Sequence, residues 1–175
     1  MKPYTDLMID LETLDTKTSA VILQIGWCFF DRNNPARKKF TRGWFPNTQE
    51  QIDMGFTVSS NTMNWWVENM DMYKIQLEAP RLDLHTVVDQ MHNIYGGAAS
   101  YSTQVWAKGT TFDIPILSKI FEPPWHFRNI QDLRTLKLIT PHKFDKENHQ
   151  LHEAVADATH QAEEVQYLCS MINGD

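Results

Sequence analysis

The run Leu7-Met8-Ile9-Asp10-Leu11-Glu12-Thr13 has the length and apolar content of a strand, yet it carries two carboxylates two positions apart. A strand period of two puts Asp10 and Glu12 on one face. Nothing in the run is cationic. Two anions held side by side must therefore face open water, share a proton, or be neutralised by a divalent cation. Read alone, the run is equally an amphipathic edge strand with a solvated acidic face. The rest of the chain decides between these readings.

A chain of 175 residues with 42% hydrophobic content is long enough for one well-formed core and short for two, so a single domain over 1–175 is expected. The first residues carry no charged-then-apolar signal pattern, and no apolar run approaches bilayer-spanning length. The expectation is a soluble, cytoplasmic protein with no membrane contact. Cys28, in an apolar strand-like run, and Cys169, on an apolar helix face, have no metal-ligand spacing and read as buried thiols in a reducing compartment. The net charge of −6 argues superficially against a nucleic-acid partner. If the carboxylates hold two divalent cations, however, four of those six charges are offset. Arg32, Arg37, Lys38, Lys39 and Arg42 cluster within eleven positions. They read first as a solvated hairpin edge protected from aggregation by charge, and only second as a phosphate-steering surface.

The strand at 7–12 is followed by a polar turn at 15–19 and a long apolar run at 20–31, read as a strand buried on both faces. Asp31-Arg32-Asn33-Asn34-Pro35 is turn chemistry, and 37–45 alternates as a third strand. Together these make an antiparallel meander. Ser59, Ser60 or Asn61 caps a helix running to about Met70, and Pro80-Arg81-Leu82 opens another, which Gly96-Gly97 stops. Trp65 and Trp66 are adjacent on the first of these helices. Because they point about 100° apart, at most one faces a given site and the other belongs in the core; core packing is the favoured reading for both, over stacking on bases. Residues 104–107 form a short strand. After it Thr111 can cap a helix, with Pro115 tolerable in the first turn and Asp113 placed at the helix N-terminus, beyond a strand end. Asp113 alone reads as a dipole-complementing acid. Pro123-Pro124 ends that helix, 126–130 reads as a last strand, and 132–137 starts a short helix. The segment 141–150 is loop-like. From 151 to 172, Val155, Ala158, Ala162, Val165, Cys169 and Ile172 form one apolar stripe, with Asp157 at its margin. A carboxylate there needs a partner.

His152 and Asp157 lie about 140° apart around an ideal helix, so both reach one site only if His152 sits at or before the first turn. Zinc held by His149, His152 and His160 is an alternative, but that spacing does not fit one helical face. A surface histidine without a role is the plainer alternative.

The order Asp10-x-Glu12, then Asp113, then His152 followed by four residues and Asp157, resembles the DEDDh exonucleases, which include ribonuclease T, oligoribonuclease and polymerase proofreading subunits. The segments Ile9-Asp10-Leu11-Glu12-Thr13, 19–26, 105–113 and Asp132-Leu133-Arg134-Thr135 look more narrowly like the phage and bacterial branch of exodeoxyribonuclease VIII-like and exoribonuclease-like proteins. The resemblance spans nearly the whole chain.

It implies an α/β fold of the ribonuclease H-like type: a mixed five-stranded sheet, three strands antiparallel and two more, flanked by helices. It implies 3′ to 5′ hydrolysis of the terminal phosphodiester of single-stranded RNA or DNA, releasing nucleoside 5′-monophosphates with two Mg2+ or Mn2+ ions. Asp10 would bridge the metals, Glu12 and Asp157 would hold the nucleophile-side ion, and Asp113 would act on the leaving-group side. His152 would be the general base, while Thr13 and Leu14 would contact the terminal nucleotide through backbone and an apolar wedge. Where the family often shows Asn-Ala after the histidine, this chain has Glu153-Ala154. Glu153 either raises the pKa of His152 or faces water. Many relatives are dimers, so a homodimer with Trp44, Phe45 or Trp125 at its interface is among the assemblies to expect. The competing class is a non-catalytic nucleic-acid-binding or interaction module on the same fold. A complete set of four carboxylates and a histidine, which such a module would not need, favours the enzyme.

Overall fold

The computed structural model describes residues 2–140, 144 and 152–174. The strands β1 (Asp6–Thr13), β2 (Ile22–Phe30), β3 (Phe40–Trp44), β4 (Gln104–Ala107) and β5 (Ile130–Asp132) form one sheet in the order β3-β2-β1-β4-β5. The first three are antiparallel, and β4 and β5 run parallel to β1. This is the mixed α/β sheet expected from the sequence.

Alternation along β1 sorts its side chains between two cores. Leu7, Ile9 and Leu11 join Ile25, Trp27 and Phe29 of β2 in the larger one. Its cover is α4 (Leu84–Ala98) and α5 (Thr110–Leu117). Trp27 sits at its centre, edge-on to Trp44 at 5.1 Å and also against Phe121 and Trp125. Trp44 and Trp125 are therefore core residues, which removes them as candidates for a dimer interface. On the other face Met8, Cys28, Phe30 and Trp106 pack against Ala158, Ala162, Val165 and Leu168 of α7 (Ala154–Asn173) and Leu133 of α6 (Leu133–Ile139). Asp10 and Glu12 share the Met8 face, so the acidic pair looks toward α7. A smaller cluster joins Leu14, Val21 and Leu23 to Trp66 of α2 (Ser60–Glu68) and Tyr73 of α3 (Met70–Glu78).

Several local expectations change. The short helix α1 (Thr48–Asp53), capped by Asn47, and the helix α3 were not foreseen. The break after α2 falls at Asn69, whose backbone leaves the helical region without any Gly or Pro to announce it. Helix α4 starts at the Asp83 cap rather than at 80–82, and it runs through Gly96 and Gly97 to Ala98. Packing overrides glycine propensity there, because Tyr95 and Ala98 are buried and the Ala98 carbonyl accepts the Tyr4 N–H at 2.8 Å. The cap of α5 is Gly109 in the left-handed region (φ 110°), not Thr111, and Pro115 lies beyond the first turn, inside the helix. Helix α5 ends well before Pro123. Phe127–Asn129 form a 3-10 turn capped by His126, and β5 begins only at Ile130. On α7 the buried stripe runs through Ala154, Ala158, Ala162, Val165 and Leu168, leaving Ile172 56% exposed. Cys28 is buried and Cys169 half-buried, both as free thiols. His149 and most of the loop read at 141–150 lie outside the described residues. No helix among the described residues is long and apolar enough to cross a membrane.

Arginines of the basic hairpin are tied into the fold. Arg32 pairs with buried Asp6 at 3.1 Å, and Arg37 pairs with Asp31 at 2.9 Å while covering the Tyr4 ring. Lys39 reaches Glu163 at 3.6 Å. These contacts gather around the Asp6 end of β1, away from Glu12.

Candidate active site

The site forms where the C-terminal half of β1 meets the first turn of α7. Asp10 is registered opposite Gly26 of β2, and Gly26 opposite Gly43 of β3. A Cβ on Gly26 would lie 2.1 Å from the Ala154 carbonyl oxygen, and one on Gly43 would lie 2.6 Å from Val155 Cγ2. The two glycines thus form a bare track across the sheet, and the start of α7 lies in it. The consequence is a close carboxylate cluster: one oxygen from each of Asp10, Glu12 and Asp157 lies within 4.8 Å of the others.

Asp113 stands beside this trio but is not part of it. It is 5% exposed and takes the backbone N–H of Leu11, which lies beyond the β1–β4 ladder that ends at Ile9 and Ala107. Asp132 fixes the helix that carries it by accepting Thr110 N–H at 2.8 Å and the Thr110 hydroxyl at 3.0 Å, while also capping α6.

The electrostatics follow from packing anions into a partly dry corner. Burial, then the neighbouring charges of Asp113, Glu12 and Asp157, hold the Asp10 carboxyl well above its ordinary range. Burial likewise raises Glu12, against the opposing effect of His152. Burial pushes Asp113 up to about 7, partly offset by backbone hydrogen bonds and by Arg134. Such a set loses its protons readily only when a positive charge takes their place and stabilises the carboxylates. Asp10 has one neutral partner, Gln161 Nε2, which donates to its Oδ1 at 2.7 Å.

His152 precedes α7, as the spacing to Asp157 required, and bends there through a left-handed backbone (φ 72°). Its N–H donates to Asp157 Oδ2 at 2.7 Å, and its Nδ1 faces Glu12 Oε2 at 3.8 Å. Glu12 raises the pKa of the imidazole, partly countered by burial. The ring packs edge-on against Trp65 at 4.5 Å. Glu153 is half-buried, and it is Glu12 rather than Glu153 that chiefly raises the His152 pKa. Its carboxylate caps α7, accepting Val155 and Ala156 N–H, and also takes a bond from Gln24 Nε2.

Core packing, the favoured reading for both tryptophans, holds for Trp66 but not for Trp65. Trp66 is buried and its indole N–H donates to the Thr13 carbonyl at 2.9 Å. Trp65 is 36% exposed and borders an open cleft with Thr13, Asn61, Thr62, Phe112 and His152. Leu14, expected at that cleft, is buried with Val21, Leu23, Trp66 and Tyr73. Lys108 and Arg134, both exposed, flank the carboxylates: Lys108 follows the last β4 residue, Ala107, whose partner is Ile9, and the Arg134 guanidinium lies against Gly109.

Sequence reading missed Gln161, Gln24 and the glycine track. Gln161 stands one turn from Asp157 on the same helix face, and a glycine inside an apolar strand signals close backbone approach. Both signals were present. Gln24 had none, since its partners come from distant elements.

Residues 5–169 match the family described as the 3′-5′ exoribonuclease Rv2179c-like domain. Among solved structures, the zinc-bound E. coli ExoI–ssDNA complex shares the fold with a TM-score of 0.68 at 13% identity, covering 99% of this chain and 42% of that one. Cell-death related nuclease 4 (CRN-4) does so with a TM-score of 0.57 at 15% identity, covering 97% of this chain and 65% of that one. The chain thus spans less than two thirds of either structure. Curated protein sequences give no match.

Proposed function

The chain belongs to the Rv2179c-like 3′-5′ exoribonuclease domain family, and from that premise we propose that it is a metal-dependent exonuclease removing nucleoside 5′-monophosphates from the 3′ end of single-stranded RNA. The observation that carries this reading is the convergence of Asp10, Glu12 and Asp157 within 4.8 Å beside His152. The family's description favours RNA, while ssDNA in the ExoI complex supports a single-stranded substrate on this fold.

The residues fit a divalent metal. Hard oxygen ligands on crowded anions, with the Asp10 and Glu12 carboxyls held above their ordinary range, are what Mg2+ or Mn2+ sites offer. Asp10, Glu12 and Asp157 would hold the ions, with Asp113 on the leaving-group side. Two such ions would supply Lewis acidity to the phosphoryl oxygens and lower the pKa of the attacking water.

His152 serves as general base. With Nδ1 turned to Glu12, Nε2 is the ring nitrogen left to take the proton from water, and the Glu12 carboxylate stabilises the imidazolium that forms. Asp157 contributes twice, offering a ligand oxygen and fixing the His152 backbone through Oδ2. Trp65 and Phe112 border the cleft in which the terminal base sits, and Thr13, held by Trp66, presents backbone to its sugar. Lys108 and Arg134 attract the phosphate chain toward an otherwise anionic site. The test is product analysis on matched RNA and DNA oligonucleotides with Mg2+ or Mn2+. Nucleoside 5′-monophosphates released faster from RNA support the reading. Internal fragments, or 3′-monophosphates, contradict it.

A further inference from the structure

Two buried glutamines outside the proposed chemistry both end at the segment that carries His152. Gln24 of β2 is 1% exposed and Gln76 of α3 is fully buried. Gln76 Nε2 donates to the His152 carbonyl at 3.3 Å and to Gln24 Oε1 at 2.9 Å. Gln24 Oε1 also accepts the Ala154 N–H at 3.0 Å, and Gln24 Nε2 donates to the Glu153 carboxylate. The pair therefore holds His152, Glu153 and Ala154 one by one.

That segment needs holding. His152 is the one non-glycine residue at positive φ among the described residues, a conformation a side-chain-bearing residue keeps only when its surroundings impose it. The Gln76 amide is itself strongly determined. Among the described residues its Oε1 is buried without a hydrogen-bond partner, and turning the amide over would bring that oxygen against two carbonyl oxygens. A buried unpaired acceptor is unfavourable, so the orientation is set by the two bonds its nitrogen makes.

We propose that Gln76 is a positioning residue for the reaction: through the His152 carbonyl and Gln24 it ties the seat of the α2–α3 helices to the imidazole and holds the ring between Glu12 and Trp65. The inference rests on His152 acting as the base. It makes α2, which borders the nucleotide cleft, and α3, which follows it, together the support of the proton acceptor, since Trp65 on α2 packs against the same ring.

Gln76→Met keeps the volume and removes the donor, and Gln76→Asn retracts the donor while keeping the amide, so one serves if the other fails to fold. With saturating Mn2+ and single-stranded RNA, the expected result is a kcat lower by about tenfold or more, KM within about threefold, and Mn2+ affinity unchanged. In a His152→Ala background, Gln76→Met should cost less than about twofold, because the group it positions is gone. Wild-type kcat in a folded variant, or the same loss in both backgrounds, overturns the proposal. Imidazole 15N–1H spectra give a readout that needs no activity: the His152 resonances move in Gln76→Met and the other histidines stay. If the wild-type protein cleaves nothing, the functional reading fails, and these spectra still decide whether Gln76 positions the ring; an unmoved His152 signal overturns it.

Discussion

The Ala154 backbone crosses Gly26 so closely that a single added methyl group would stand 2.1 Å from the Ala154 carbonyl oxygen. The obstructing atom is backbone at the root of α7, so it cannot swing aside as a side chain could. Gly26→Ala should therefore lift the start of α7 off the sheet, costing about 1–3 kcal/mol of stability and withdrawing Asp157 from Asp10 and Glu12. We expect a lower Tm together with a weakened Mn2+ affinity. Gly43→Ala meets the Val155 side chain at 2.6 Å rather than backbone, and should be milder on both counts. Equal Mn2+ affinity in Gly26→Ala and wild type would show that the track does not set the cluster.

Trp66 and Trp65 should separate stability from binding. Trp66→Phe removes the donor to the Thr13 carbonyl and should lower unfolding free energy by about 1 kcal/mol in urea titrations. Trp65→Ala should leave stability nearly intact and raise KM, by about tenfold if it stacks on the terminal base. The reverse assignment of effects would place the base elsewhere.

Lys108 and Arg134 are the exposed cations flanking the carboxylates, whereas Arg32, Arg37 and Lys39 are paired around the far end of β1. Lys108→Ala and Arg134→Ala should each flatten the dependence of log(kcat/KM) on log salt by about 0.7 for single-stranded substrate. Lys39→Ala should not. Identical slopes in all three variants would remove the electrostatic role.

The raised pKa values fix the sign of a metal-linked pH effect. Asp10, Glu12 and Asp113 are raised in the folded protein, so ionising them opposes folding, and that penalty grows as pH rises from the unfolded values through the folded ones, near 7 for Asp113. Asp15 and Asp83, lowered by hydrogen bonds from Thr57 and from Thr86, act oppositely: their stabilisation is present above the unfolded value and lost as pH falls. The difference between melting with Mn2+ and with chelator isolates the first set, since the metal needs it ionised. That difference should widen between about pH 5 and 7.5. A pH-independent difference would mean that the metal binds elsewhere.

Residues whose signal is local were legible in the sequence. Asp10 and Glu12 share a face by the strand period, and Asp113 sits in the first turn of α5. The antiparallel meander of the first three strands was legible in their patterns and turns, and the five-stranded mixed sheet in the family resemblance, whereas the placing of β4 and β5 beside β1 was not. What stayed hidden depends on contacts between distant segments. Gln24 reads as a polar interruption of an apolar strand until Gln76, Glu153 and Ala154 surround it. The kink at Asn69 that creates α3 has no Gly or Pro behind it. The basic hairpin looked like a surface because its counter-ions, Asp6, Asp31 and Glu163, are scattered along the chain.

The most direct test of the account is a gel time course with 5′-labelled single-stranded RNA, run with Mn2+, Mg2+ and chelator, for wild type, Asp10→Asn and Asp157→Asn. The account predicts a ladder shortening from the 3′ end in metal alone, slowed by at least about a hundredfold in either variant. No cleavage by folded wild type under any metal, or undiminished cleavage by Asp10→Asn, would contradict it.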